Sequence, residues 1–339
     1  PPSVCDPAVG GGSFLLAAHE AAPGARLVGL DADAEAARLA RAALLEVGAA
    51  DVDVRAGDGL LELEAGSFDC VLTNPPWETL QAGPHAARRA ALRGRFRHQG
   101  RGKLYTYRLF VERALELLRP GGRLGAVVPA SLWFDRDAEP LRRLLLDTCD
   151  WQWLFGFENR GRVFDIDSRY RFGVVLATKG GTTRRVRVAF GRTALEDWAA
   201  ARPAHVAYRR DELRALSPGS GAFVEAATRR DLELLGRVHA RGRPVCGDGG
   251  AFDWRQGDFN MTADKNRFVE RARAERDGYV RAADGVWRRR GAPDLLPLHQ
   301  GAMIGDLDPN AGAHDAGTGH ATRWRAPRAA DEQRPLYLI

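Results

Sequence analysis

Asn74-Pro75-Pro76-Trp77 constrains this chain more than any other stretch. The residues before it, Phe68-Asp69-Cys70-Val71-Leu72-Thr73, read as a short buried strand. A polar side chain, two prolines and a large aromatic thus follow the C-terminal end of a strand. Open α/β sheets bind their ligands at that edge. Proline at 75 fixes its own φ and pushes Asn74 out of the helical region, so the Asn74 amide is aimed rather than free. The Pro75 carbonyl has no strand partner and can accept hydrogen bonds. Trp77 offers a flat face beside both acceptors. Together they would cradle a planar ring carrying an amino group. Four residues also suit a plain turn that ends a strand and sends Trp77 into the core. The upstream sequence separates the two readings.

Upstream, Asp6-Pro7-Ala8-Val9-Gly10-Gly11-Gly12-Ser13-Phe14 is a strand-to-helix turn rich in glycine. Glycines let a backbone approach a ligand, and a helix N-terminus favours negative charge. A nicotinamide fingerprint would need a third glycine where Leu15 stands, and a Walker A loop would need a lysine. Arg26 to Leu30 reads as a second strand ending in Asp31, about 20 residues past the glycines, where an acid can hold ribose hydroxyls. Val52 to Arg55 is a third short strand, and Asp58 at its tip can accept from an adenine amino group. Each acid alone reads as a cap or turn former. Three successive strand tips carrying suitable groups point to one nucleoside-like ligand.

The charge pattern suggests a partner. From Leu80 through Val111 there is no acid, while Arg88, Arg89, Arg93, Arg95, Arg97, Arg101, Lys103 and Arg108 fall in that span. A charge run is usually a solvated surface, but this one abuts the aromatic cradle. We therefore expect Arg88, Arg93, Arg95, Arg97, Arg101 and Lys103 to meet a nucleic-acid backbone. The formal charge of +6 agrees in sign but says little more. Only Lys103, Lys179 and Lys265 are lysines, a bias that codon usage also produces.

The rest of the chain sets the architecture. Tyr107 to Leu118 reads as an amphipathic helix, Arg119 to Gly122 as a turn, Leu124 to Pro129 as a buried strand and 137–148 as a helix. Trp153 to Phe157 and Phe172 to Thr178 read as a closing, hairpin-like pair of strands. Strands alternating with helices predict a mostly parallel sheet with helices on both faces. Beyond about residue 195 that rhythm fades into helical patches at 193–201 and 228–241 and short irregular pieces. Domains are expected at 1–192 and 193–339. Asp306 to Asn310 begins like a calcium loop, but Ala311 and Gly317 stand at its sixth and twelfth positions. The histidines lack zinc spacing, so no metal is expected. The four cysteines are far apart, no apolar run reaches about 18 residues and no secretory signal is present. These features suit a cytoplasmic protein with reduced thiols. Pro1 leads almost directly into the glycine loop, so we expect a segment before it.

The motifs DPAxGxGxF (Asp6 to Phe14), Leu30-Asp31, Gly57-Asp58 and Asn74 to Trp77 resemble those of the S-adenosylmethionine-dependent N6-adenine DNA methyltransferases. Lys103-Leu104-Tyr105, Arg119 to Gly122 and Phe164 to Phe172 resemble the large subgroup found in type IIG restriction–modification enzymes and in BREX and DISARM phage defence. The likeness covers residues 4–180. Residues 258–268 and 299–308 are similar to the subgroup's entry into its target-recognition region. The resemblance implies a Rossmann-like class I methyltransferase sheet with an antiparallel last strand, then a partial, irregular α+β target-recognition region. It implies S-adenosyl-L-methionine as cofactor and double-stranded DNA as partner, and it admits other subunits of a defence system as partners. Asp6, Ala8 and Gly10 would line the methionine end, and Gly12 would also belong to the cofactor site. Asp31 would hold the ribose, Asp58 the cofactor's adenine amine, and Phe14 would wall the pocket. Asn74 and Pro75 would accept from the target amine, with Pro76 and Trp77 completing the motif. Trp77 and Phe164 would stack on the flipped base. The family's segment before the first strand is absent here, as is any nuclease motif.

Two alternatives stay open. The same motif occurs in methyltransferases of protein glutamine or RNA bases, because an amide presents the same donors as an exocyclic amine. A non-catalytic DNA- or cofactor-binding module is the other. The basic run and the irregular C-terminal region favour DNA.

Overall fold

Strand β1 (Ser3–Asp6) pairs in parallel with β2 (Arg26–Asp31) on one side and β4 (Phe68–Thr73) on the other, and β3 (Asp51–Ala56) extends β2. The computed structural model describes residues 1–81, 86–201, 204–242, 259, 263–305, 308, 310–317, 322–328 and 335–339. β5 (Leu118–Pro129), β6 (Cys149–Glu158), β7 (Arg171–Lys179), β8 (Arg185–Arg192) and β9 (Val206–Arg209) complete a nine-stranded sheet of order 3-2-1-4-5-7-6-8-9. Only β7 and β9 run antiparallel to their neighbours. The expected reversed strand is thus β7, inserted between β5 and β6.

Alternation along the strands divides the core between two layers, because successive side chains leave opposite faces. Val4 and Leu27 pack with Leu15, Ala37, Ala40 and Leu44 of α1 (Ser13–Ala21) and α2 (Ala34–Glu46). Cys5, Val28 and Val71 pack with Tyr107, Val111 and Ala114 of α4 (Thr106–Leu117), and Leu141 and Leu145 of α5 (Glu139–Thr148) extend that layer. A sheet sandwiched in this way reads as apolar runs, which is why its strands are visible in the sequence.

Helix α4 departs from the expected amphipathic pattern, since every residue but Glu116 is buried. Most of its polar groups find partners within the fold, although Arg108 Nη1 and Arg113 Nε have none among the described residues. The Glu112 carboxylate accepts from the backbone N–H groups of Arg97 (2.9 Å) and His98 (3.0 Å) and from Gln99 Nε2 (2.6 Å). Glu112 is the first acid after the acid-free run, and it ties down the middle of that run. Arg108 lies fully buried, donating to the Tyr107 hydroxyl at 3.0 Å and to Asp135 at 3.2 Å.

Residues Arg119 to Gly122 form an irregularity inside β5 rather than a turn before it. Pairing with β4 jumps from Phe68↔Leu118 to Cys70↔Arg123, and Gly121 takes φ +80°. β9 was not foreseen. It is four residues long and owes its place to Tyr208, whose hydroxyl donates to the Val224 carbonyl and accepts from the Ala226 N–H. Residues 1–243 form one compact unit and residues 244–339 another, so the expected boundary at 192/193 lies inside the first. In the second unit Ala274, Trp287 and Leu338 form a small core beside two-stranded ladders, one joining Val269–Glu270 to Tyr337–Leu338. Of the stretches 258–268 and 299–308, residues 258, 260–262, 306 and 307 lie outside the described residues, as does 309. Among the described residues no helix is long and apolar enough to cross a membrane.

Glu112→Ala should lower stability by about 2–3 kcal/mol, because buried donors lose their acceptor. A lower urea midpoint at unchanged slope checks it.

Candidate active site

The parallel register of β2, β1 and β4 brings their C-terminal ends to one edge, where a cavity of about 420 Å³ opens. Ala8, Gly10, Asp31, Asp58 and Asn74 all line it. Gly10 sits at φ +49°, and a Cβ built there would meet nothing within 4 Å, so its backbone borders open space. Asp31 Oδ2 accepts from the Gly10 N–H at 2.8 Å, and Oδ1 accepts from Asp33 N–H at 2.9 Å. The acid therefore also ties the glycine loop to the β2 tip. Asp58 Oδ1 accepts from Leu60 N–H at 3.0 Å, and Oδ2 from Arg88 Nη2 at 2.7 Å.

Leu60, Leu80, Leu92 and Phe110 add an apolar wall to this cavity. An apolar slot with a carboxylate at its edge suits a purine ring, and a second carboxylate nearby suits a ribose. The donor set thus fits S-adenosylmethionine. One residue with a packing reason for its identity was not singled out from the sequence. A Cβ on Gly59 would fall 1.8 Å from the Pro7 carbonyl oxygen, so only glycine lets the β3 tip meet the first loop.

Three expected cavity residues sit elsewhere. Asp6 is 1% exposed, below the floor, with its carboxylate accepting from Ala8 N–H at 3.0 Å. Burial pushes its carboxyl up to about 7, against the pull of that N–H. Gly12 is the residue before α1, at φ +85°, and a Cβ there would lie 3.0 Å from that of Ala40. Close packing against α2 accounts for this glycine. Phe14 lies half-buried on α1, off the cavity lining.

Asn74 to Leu80 continue from β4 as extended chain, and Thr79–Leu80 pair with Leu104–Tyr105. Alternate residues of this stretch line different cavities. Asn74, Pro76 and Glu78 face the first cavity, as does Thr106. Trp77, Tyr105 and Tyr107 face a second cavity of about 510 Å³, together with Ser131 and Tyr170. Trp77 meets Phe164 edge-on, with centroids 5.7 Å apart, and lies 6.1 Å from Phe172. Phe164 supports Trp77 rather than lining the second cavity, which places it behind the expected stacking position.

Asn159, missed from the sequence, holds the Phe164 loop. It is buried, donates from Nδ2 to the Phe164 and Ile166 carbonyls, and accepts from Phe164 N–H at 3.0 Å. A side-chain amide offers both a donor and an acceptor to one loop, and that is the signal an Asn just past a strand carries.

The basic run divides. Arg88 pairs with Asp58, Arg93 donates to the Gly100 and Gly102 carbonyls, and Arg95 pairs with Glu116. Arg97, Arg101 and Lys103 are exposed, and no salt bridge is assigned to them among the described residues. No group of metal-ligating side chains occurs among the described residues.

The raised Asp6 carboxyl has a stability consequence with a definite sign. The fold favours its protonated form, so its contribution is present below about pH 4 and is lost as pH rises through about 7. Urea midpoints should therefore fall between pH 5 and pH 8 more steeply in the wild type than in Asp6→Asn. Equal slopes would contradict the buried, protonated acid.

Residues 44–164 match the family described as Eco57I restriction-modification methylase. A release factor glutamine methyltransferase of Caulobacter vibrioides is 34% identical over 131 residues, 35% of this chain and 43% of that protein. The modification subunit of a putative type I restriction enzyme from Vibrio vulnificus YJ016 superposes with TM-score 0.51 at 19% identity, over 62% of this chain and 52% of that one. The EcoKI M protein of a type I restriction enzyme superposes with TM-score 0.52 at 16% identity, over 78% and 71%. The chain thus spans about half or less of the first two, and the solved structures speak for the fold. Residues 44–164 are thus similar to the restriction–modification methylases, the sheet has the class I methyltransferase fold, and these likenesses together with the cavity imply S-adenosylmethionine as the cofactor.

Proposed function

We propose that this chain methylates the N6 amine of an adenine everted from duplex DNA, within a restriction–modification or phage-defence system. The observation that carries this reading is the position of Asn74. Asn74 lines one cavity with Gly10, Asp31 and Asp58, while Trp77, three residues on, lines a second cavity of about 510 Å³, roomy enough to take a base. When bound, S-adenosylmethionine supplies an electrophilic methyl on a sulfonium. The chain's task is to hold that group and present a nucleophile to it.

The target amine is a weak nucleophile because its lone pair is conjugated into the ring. The Asn74 carbonyl oxygen and the Pro75 carbonyl would each accept one N–H, favouring a pyramidal nitrogen with its lone pair aimed at the methyl. That is catalysis by orientation and electrostatics, with no strong base required beforehand. Eversion costs a few kcal/mol, which stacking on Trp77 partly offsets. Arg97, Arg101 and Lys103 would take phosphates.

The similarity to a glutamine methyltransferase supports a second substrate class, because a side-chain amide presents the same two N–H bonds. The family match and the exposed cations favour DNA. Methyl incorporation into unmethylated plasmid DNA and into a release-factor protein, measured side by side, separates the two.

Asn74→Ala should cut methyl transfer from tritiated cofactor by at least about 10²-fold while leaving calorimetric cofactor affinity nearly unchanged. Asp31→Ala should instead weaken cofactor binding; an unaltered dissociation constant would remove its assignment. Neutralising Arg97, Arg101 and Lys103 together should reduce the salt slope of DNA binding by about 2–3. An unchanged slope would return these residues to the solvated surface.

A further inference from the structure

The two prolines that aim Asn74 also leave its loop short of tethers. β4 ends at Thr73, and neither Pro75 nor Pro76 has an N–H to donate. Apart from the strand ladder, every hydrogen bond assigned to residues 74–78 among the described residues runs to Thr106. Its Oγ1 lies 2.5 Å from the Pro76 carbonyl oxygen and 3.1 Å from that of Glu78, and it accepts from Glu78 N–H at 3.0 Å. The Thr106 N–H adds a bond to the Glu78 carbonyl at 3.0 Å.

Thr106 is 8% exposed and begins α4, whose body is locked in the core. One hydroxyl thus transfers the rigidity of that helix to the catalytic loop. Only a group that donates and accepts at once can hold Pro76 and Glu78 together. On the other side of the wall, Trp77 is held by ring contacts with Phe164 and Phe172, and its indole N–H has no partner among the described residues. Trp77 packing therefore fixes one face of the loop, and Thr106 fixes its backbone.

We propose that Thr106 is a positioning residue for methyl transfer, setting the peptide that follows Pro75 so that the Asn74 amide and the Pro75 carbonyl grip the target amine together. The inference rests on the methyltransferase reading above. A misplacement of about 1 Å from a residue outside the chemistry can cost about 10²-fold in rate.

The test compares wild type, Thr106→Val and Thr106→Ser by two measurements. Backbone hydrogen exchange of a peptide covering 77–80 needs neither DNA nor cofactor. It should run about 2–10-fold faster in the valine variant, which keeps the shape but cannot bond, and near wild-type in the serine variant. Transfer of labelled methyl to plasmid DNA should fall about 10–100-fold in kcat for valine, with cofactor affinity and the KM for DNA little changed, and recover in serine. Loss of cofactor affinity in step with rate would overturn the proposal, since Thr106 also borders the cofactor cavity. So would a valine variant that exchanges faster yet transfers at the wild-type rate, or a serine variant as impaired as valine. Wild-type chain that transfers no methyl to DNA removes the underlying reading. The exchange measurement tells that outcome from a failure of the tether itself.

Discussion

Everything at this site depends on the parallel pairing of β1 with β2 and β4. Parallel strands end at the same edge, so groups placed just after each strand converge without further instruction. Asp31 follows from the end of β2, the glycine loop from β1 and Asn74 from β4, and all three border one cavity. The Gly10–Asp31 hydrogen bond then closes the first loop onto the second strand. A one-residue slip in any of these pairings would turn each side chain to the opposite face. The apolar residues on both faces, packed under α1, α2, α4 and α5, prevent that slip.

A second layer of organisation lies in α4. A helix buried almost all round is costly unless its polar groups find partners. Glu112 gathers the middle of the basic run, Arg108 braces Tyr107, and Thr106 reaches into the loop after β4. The same helix thus shapes the core, the cofactor wall and the edge of the second cavity. Its neighbour α3 (Ala86–Arg95) contributes Leu92 to the apolar slot and Arg88 to the Asp58 carboxylate. Arg88, read from the sequence as a phosphate contact, thus pairs with an acid of the candidate purine site.

Motifs made of backbone chemistry were legible in advance. Gly10, Asp31, Asp58 and Asn74 stand at strand ends because turn geometry and strand period are local properties, and those four do meet in one cavity. Motif membership did not separate lining residues from supporting ones. Asp6, Gly12 and Phe14 belong to the same short stretch as Gly10, yet the first is under the floor, the second packs on Ala40 and the third sits half-buried within α1, off the cavity. Phe164 likewise supports Trp77 from the side. Thr106, Asn159 and Gly59 were silent, since each acts through a partner roughly five to fifty residues away.

By itself, then, the sequence determined the alternation of strands and helices, the positions of the loops that end the strands, and the chemistry those loops carry. Hydrophobic period and the fixed φ of proline are properties of neighbouring residues, so they need no fold to be read. The tertiary structure alone decided which charges are free and which are used. Arg93 and Arg95 look identical to Arg97 along the chain, but the first two meet carbonyls and a glutamate while the third faces solvent. It also decided that Asn74 and Trp77 face different cavities and that a threonine holds the wall between them. Those outcomes depend on which surfaces meet in space, and no periodicity along one chain encodes that.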